Sequence, residues 1–131
     1  MFVGLNPSTA DETQDDPTIR RCIGYAKTWG YGALCMTNLF AFRATDPREM
    51  KRHPEPIGPD NNKHLQECAE GAGLVIFAWG KDGAHKKRDI QVESLIASPH
   101  CLGLNKDGTP KHPLYLPKAA TPEPYSLKEP F

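Results

Sequence analysis

The sequence predicts an α/β fold: a three-layer α/β/α sandwich around a short, mostly parallel four-stranded sheet. Three observations carry this. Apolar runs alternate with stretches of helical period in the order β-α-β-α-β-α-β, the pattern of a parallel sheet with helical crossovers. The run Leu74 to Trp79 is continuously apolar, as in a strand covered on both faces. Each predicted strand also stops abruptly on polar or Gly/Pro chemistry: Asn6-Pro7, Thr37-Asn38, Trp79-Gly80 and Gly103-Leu104-Asn105. Open parallel sheets bind ligands beyond the carboxyl ends of their strands, so these ends define one candidate edge.

The first strand is Phe2 to Leu5. Asp16 before Pro17 is an N-cap followed by an N1 proline and starts the first helix. Ile19, Cys22, Ile23, Ala26 and Trp29 form its predicted inward stripe, and Gly30 closes it. Ala33 to Thr37 is the second strand, and 39–57 is a long connection with a helical turn at Pro47 to Lys51. Gly58-Pro59-Asp60 opens the second helix, with Leu65, Cys68, Ala69 and Ala72 facing inward. After the strand Leu74–Trp79, a third helix spans Asp82 to Ala97, and a last strand lies around Cys101 to Leu104. Asn105-Lys106-Asp107-Gly108 is turn chemistry. Residues 1–116 are expected to form a single α/β domain, and 117–131 a proline-rich extended tail.

With 131 residues the chain suits one core, and 13 prolines imply much extended backbone. Sixteen basic and sixteen acidic residues leave no net charge, so no whole-molecule basic field draws it to nucleic acid, although a local patch can. The four cysteines contain no CxxC pair and read as reduced thiols on apolar faces. The histidines make no HExxH spacing, and neither a metal nor a cofactor is expected. No apolar run reaches the ~18–20 residues of a membrane span, and the N-terminus lacks signal-peptide features. The expected location is the cytoplasm, with no membrane partner.

At the candidate edge, Asn6 is either a ligand-positioning amide, fixed in direction by Pro7, or a simple turn residue. Asn38 ends the second strand, where its amide can read a base edge or satisfy a loop. Phe40 and Phe42 precede Arg43. Ser8, Thr9, Arg20, Arg43, Lys86 and Lys87 are candidate phosphate contacts, with a solvated face as the alternative for the Lys86-Lys87-Arg88 run. His112 sits on the loop after the last strand, where it can stabilise developing negative charge or stand as a surface histidine. Asp11, Glu12, Asp15 and Asp16 form an acidic loop that is either a base or metal site, or a helix start complementing its dipole.

Two resemblances extend this reading. Leu5-Asn6-Pro7-Ser8-Thr9-Ala10-Asp11, Asp15 to Cys22, and Asn38 to Thr45 resemble a bacterial and phage family known as domain of unknown function 1643. That resemblance implies a short element upstream of Met1. The chain also resembles, more distantly, the uracil-DNA glycosylase superfamily. Gly4-Leu5-Asn6-Pro7-Ser8 is similar to its first motif, and Thr37-Asn38 with Arg43 to the strand end that reads the base. Val75 to Gly80 with Ala84-His85-Lys86-Lys87 resembles its third strand and helix start, and His112-Pro113 its closing motif. This resemblance implies that Asn6 positions the hydrolytic water, Asn38 reads the base, and His112 stabilises the departing base. It further implies Leu114 or Leu116 as a wedge, with Phe40 as the stacking substitute. Ser8 replaces a glycine of that pattern, and Leu114 a serine. The implied activity is N-glycosidic hydrolysis on a base in DNA or a nucleotide. A non-catalytic nucleic-acid or nucleotide-binding module, and a metal hydrolase using Asp11, Asp15 and Asp16, are the competing readings.

Overall fold

Phe2 and Val3 point to opposite faces of an extended segment, and both are buried. That segment is strand β1 (Phe2–Gly4), which lies inside the sheet with a parallel neighbour on each side. A computed structural model describes residues 1–8 and 16–125. Beside β1 lie β2 (Met36–Asn38) and β3 (Ile76–Phe77), followed by β4 (His100–Cys101) and β5 (Glu123–Pro124), in the order β2-β1-β3-β4-β5. Val3 is in register with Thr37 on one side and Phe77 on the other. The first four strands are parallel and β5 is antiparallel.

Four α-helices are described: α1 (Pro17–Thr28), α2 (Pro47–Arg52), α3 (Asn61–Glu70) and α4 (Arg88–Leu95). Alternation along the strands feeds two cores. Phe2, Ile76 and Leu102 pack with Cys22 and Tyr25 of α1 on one face. Val3, Phe77 and Cys101 pack with Met50 of α2, Leu65 of α3 and Val92 of α4 on the other. The helix start expected at Asp16-Pro17 forms, with Asp16 accepting from Thr18 N at 2.8 Å; Asp46, not singled out in the sequence, caps α2 in the same way and accepts from Arg48 N at 2.9 Å. Gly30 follows α1 with φ +84°, the left-handed value that ends helices on glycine.

The structure departs from the sequence expectation in four places. The sheet has five strands rather than four, because residues 117–125 run back and add β5 to the edge of β4. Pro124 is tolerated there because an edge strand has one side without ladder bonds. The strands are shorter than their apolar runs, since Val75, Ala78 and Trp79 are buried by packing without all pairing in the ladder. The inward stripe of α1 is Cys22, Tyr25 and Ala26, whereas Ile19 and Ile23 are 40% and 38% exposed. The third helix is not continuous. A 3₁₀ stretch, Gly80–Lys87, kinks at His85–Lys86 before α4 begins. Lys86 and Lys87 both take φ +55°, a left-handed conformation that costs roughly 1–2 kcal/mol for a side-chain-bearing residue.

Tyr125 seals the β5 edge. It is buried, with its ring 5.2 Å from that of Phe77 and 6.0 Å from that of Trp79. Tyr125→Ala is expected to lower the urea-unfolding free energy by about 3 kcal/mol, the cost of emptying a buried aromatic site. A loss below about 0.5 kcal/mol would show that 117–125 does not belong to the cooperative unit.

Candidate functional site

In the order 2-1-3-4 the chain crosses from one side of β1 to the other, and the carboxyl ends of β1 and β3 flank the switch point. Three connections meet along this edge: residues 5–8 after β1, 39–45 after β2, and 78–83 after β3. The loop 110–112 joins them, since Gly80 N–H donates to Pro110 O at 3.0 Å and Lys111 N–H to Gly103 O at 2.9 Å.

Asn6 spends its amide nitrogen on backbone. Nδ2 donates to Ala44 O at 2.9 Å and to Phe42 O and Pro7 O at 3.2 Å. Because these partners are carbonyls, the nitrogen must face them, and Oδ1 has no donor among the described residues. Asn6 thus ties the β1 loop to the β2 loop, reinforced by Ala44 N–H to Pro7 O at 3.0 Å and Arg43 Nη1 to Ser8 O at 3.3 Å.

Asn38 reaches back over β1. A Cβ on Gly4 would lie 2.9 Å from Asn38 Oδ1, so glycine there leaves the room that this amide occupies. Among the described residues no hydrogen bond engages the Asn38 side chain, whereas its backbone is held: Asn61 Nδ2 donates to Asn38 O at 3.0 Å and Leu39 O at 2.9 Å. Asn6 thus has its amide nitrogen committed to backbone carbonyls, whereas the Asn38 amide has no hydrogen bond among the described residues.

His112 N-caps the 3₁₀ turn Pro113–Tyr115, and its Nδ1 accepts from Leu114 N at 3.2 Å. An accepting Nδ1 carries no proton, so the neutral ring bears its hydrogen on Nε2. The imidazole keeps a solvent-exposed edge, but the surrounding protein disfavours its charged form and lowers its pKa; Asp16 opposes this in part. Asp16 is meanwhile engaged as the α1 cap.

The remaining sequence candidates fall in different places. Phe40 is fully buried, with its ring 5.6 Å from that of His85, so neither face is open to a base. Arg20 lies on the exposed side of α1. Lys86 and Lys87 are exposed, but on the kinked turn and not on a regular helix face. Thr9, Asp11, Glu12 and Asp15 lie outside the described residues. No group of three metal-ligating side chains occurs among the described residues.

Arg88 was not legible as a core residue, because in sequence it closes a basic run. It is fully buried, donating from Nε to Leu39 O at 2.7 Å and from Nη1 to Asn62 Oδ1 and Gln91 Oε1. Burial lowers its pKa, and Nη2 has no acceptor among the described residues. Sequence reasoning also missed Gly83, where a Cβ would lie 2.2 Å from the Trp79 ring. Burial pushes the Cys22 thiol up to about 12 and Cys68 up to about 11, so neither is a ready nucleophile at neutral pH. A cavity of about 430 Å³ lies at the opposite end of the sheet, among Phe2, Trp29, Tyr31, Cys35, Cys68 and Leu74. Its walls are largely apolar, and none of the candidate polar residues lines it.

The model of the family described as "Protein of unknown function (DUF1643)" matches residues 1–114. The chain belongs to the DUF1643 family. The match takes in β1 through β4 and the loops of the carboxyl edge. No curated protein and no solved structure matches the chain significantly. No helix among the described residues is long and apolar enough to cross a membrane.

A lowered histidine pKa has a definite sign in this DUF1643 protein. Between the folded value of His112 and the unfolded value near 6.5, the unfolded chain binds more protons. The contribution of His112 to stability is therefore complete above about pH 6.5 and declines as the pH falls towards the folded value. Imidazole ¹⁵N shifts followed against pH are expected to show the Nε2–H tautomer at neutral pH and a pKa below 6.5. A proton resident on Nδ1 would refute the assignment.

Proposed function

We propose that this chain is an N-glycosidic hydrolase with a three-layer α/β/α, uracil-DNA-glycosylase-like architecture, acting on a base in DNA or a nucleotide. The observation that supports it is an Asn38 amide above Gly4 that no hydrogen bond engages among the described residues; His112, neutral with its proton on Nε2, supplies a separate donor. An amide offers one donor and one acceptor, matching a base edge that presents a carbonyl beside an N–H. A neutral imidazole N–H donates to oxygen as charge develops on the base, without carrying a positive charge of its own. Asn6 Oδ1, with Nδ2 anchored on backbone, accepts from a water and aims its oxygen at the sugar carbon. The C1′–N bond breaks, water oxygen bonds to C1′, the base leaves as an anion, and the water proton returns to solvent or to the base. The base must be swung out of any stack before this geometry forms. Ser8 and Arg43, joined at 3.3 Å, stand at the rim for a flanking phosphate. Cytoplasmic residence fits the four free cysteines.

A second reading is a binding module without turnover. It is favoured by the same Asn6 amide, whose ties to Pro7, Phe42 and Ala44 account for that residue as loop scaffolding. The metal-hydrolase reading draws less support, since Asp16 is committed to capping α1.

Oligonucleotides carrying uracil, mismatches or damaged bases, treated with the protein and then with alkali, separate these readings. Strand cleavage at one modified base is expected, falling 10²–10³-fold in His112→Ala, the usual scale for losing a charge-stabilising donor. Asn6→Ala and Asn38→Ala should also abolish most turnover. Folded wild-type protein that releases no base from any substrate would sink the hydrolase and leave the binding module.

A further inference from the structure

The loop after His112 presents an aromatic ring that neither the fold nor the proposed chemistry uses. Tyr115 is 88% exposed, the highest value among the large hydrophobic side chains described as exposed. Its backbone is held firmly. Leu114 N–H donates to His112 Nδ1 at 3.2 Å, Leu116 N–H to Pro113 O at 3.3 Å, and Pro113 is buried. From α1, Arg21 Nη2 donates to Leu114 O at 3.4 Å, Tyr25 OH to Pro117 O at 2.7 Å, and Trp29 Nε1 to Ala120 O at 3.3 Å. The turn is thus pinned from beneath while the ring projects outward. A flexible loop would be free to fold such a ring against the protein; this one is held away from it.

The charge around the ring defines what it meets. Arg21 reaches the turn directly, Lys118 lies three residues beyond Tyr115, and the Lys111 stem passes over Gly103, 3.4 Å from where a Cβ would stand. Asp16, whose charge acts on His112, is occupied with the α1 cap. An exposed aromatic on a turn held by Arg21, in a loop that carries Lys111 and Lys118 and no acid from Pro110 to Pro122, suits a partner that offers a π-face and an anionic backbone together.

We infer that Tyr115 is a stacking platform for an unpaired base of a single-stranded nucleic acid that enters the carboxyl edge past His112. The inference rests on the reading above for the base-bearing partner, and it moves the stacking role from the buried Phe40 to Tyr115. Single strands are favoured over duplex because the ring needs a base with a free face. The few local cations also suit the sparser charge of one strand.

The test is fluorescence anisotropy of a labelled thymine- or uracil-rich single strand of about a dozen nucleotides, at low salt, with wild-type protein and variants. Wild type should bind saturably and weaken as salt rises. Tyr115→Ala should raise Kd roughly ten-fold or more, the scale of one lost stacked base, with an unchanged thermal midpoint because the ring is not packed. Tyr115→Phe should stay within about two-fold of wild type, and Lys118→Gln should flatten the salt dependence. Absence of wild-type binding, equal binding by Tyr115→Ala, or a preference for duplex would each overturn the platform. Its failure and that of the hydrolase are separable. Binding that depends on Tyr115 without base release keeps the platform and removes the hydrolase. Base release with Tyr115-independent binding does the reverse.

Discussion

The structure turns on the carbonyl of Leu39. It is the first residue past β2, and its oxygen receives Asn61 Nδ2 from the start of α3 and Arg88 Nε from the start of α4. Asn61 also takes the carbonyl of Asn38. Two helices are thereby pinned by their first turns to the residues that end β2. The guanidinium achieves this while fully buried and with no carboxylate among its hydrogen-bond partners in the described residues. Such a charge is costly to bury unless neutral oxygens converge on it, which fixes where Leu39, Asn62 and Gln91 must lie.

That requirement gives a physical account of the kink before α4. A helix continuous from Asp82 would set the phase of Arg88 by simple periodicity. Two successive left-handed residues, Lys86 and Lys87, restart the helix at Arg88 instead, so the side chain can enter the core at the helix's first position. The local strain is offset by the hydrogen bonds Arg88 makes inside. On the other side of the β2 end, Phe40 N–H reaches Leu5 O at 2.9 Å and Asn6 gathers the 42–44 backbone. The 38–45 segment is therefore held from the helices and from β1 together, and the open Asn38 amide rides on the best-anchored part of the edge.

What the sequence disclosed was local chemistry. Asp16-Pro17 declares a helix start because capping and proline act within three residues, and Asp46-Pro47 carries the same signal at the turn expected from Pro47 to Lys51 without having been read as a cap. Gly30 declares a helix end for the same reason, and the parallel alternation followed from apolar runs of strand length. The missed features depend on partners distant in sequence. Arg88 reads as surface charge until Leu39, 49 residues away, is known to lie beside it. Glu123-Pro124 has no strand signal of its own; the edge of β4 makes it one. Phe40 and Tyr115 are both aromatics near candidate polar residues, and only packing separates the buried ring from the one left in solvent. The Asn6 amide was legible as polar, but the three carbonyls that consume its nitrogen come from loops whose convergence no spacing encodes.

The atoms left over at the edge set what chemistry it can support. Once the hydrogen bonds among the described residues are met, Asn6 offers an acceptor, Asn38 a donor and an acceptor, and His112 a donor on Nε2. Burial holds the Cys22 and Cys68 thiols protonated, and Asp16, the acid whose charge acts on His112 among the described residues, is spent as the α1 cap. Such a set is poor at nucleophilic attack, which calls for a group whose own electron pair is activated. It is well suited to holding a neutral planar ligand by both kinds of hydrogen bond and orienting a water beside it. It also meets negative charge with a neutral donor, so the ligand need carry no charge when it arrives. The polarity of this edge follows from Asn6: had its nitrogen faced the edge, a donor would stand where the fold now presents an acceptor. By turning that nitrogen onto Pro7, Phe42 and Ala44, the fold uses one side chain both to join two loops and to fix the polarity of the site.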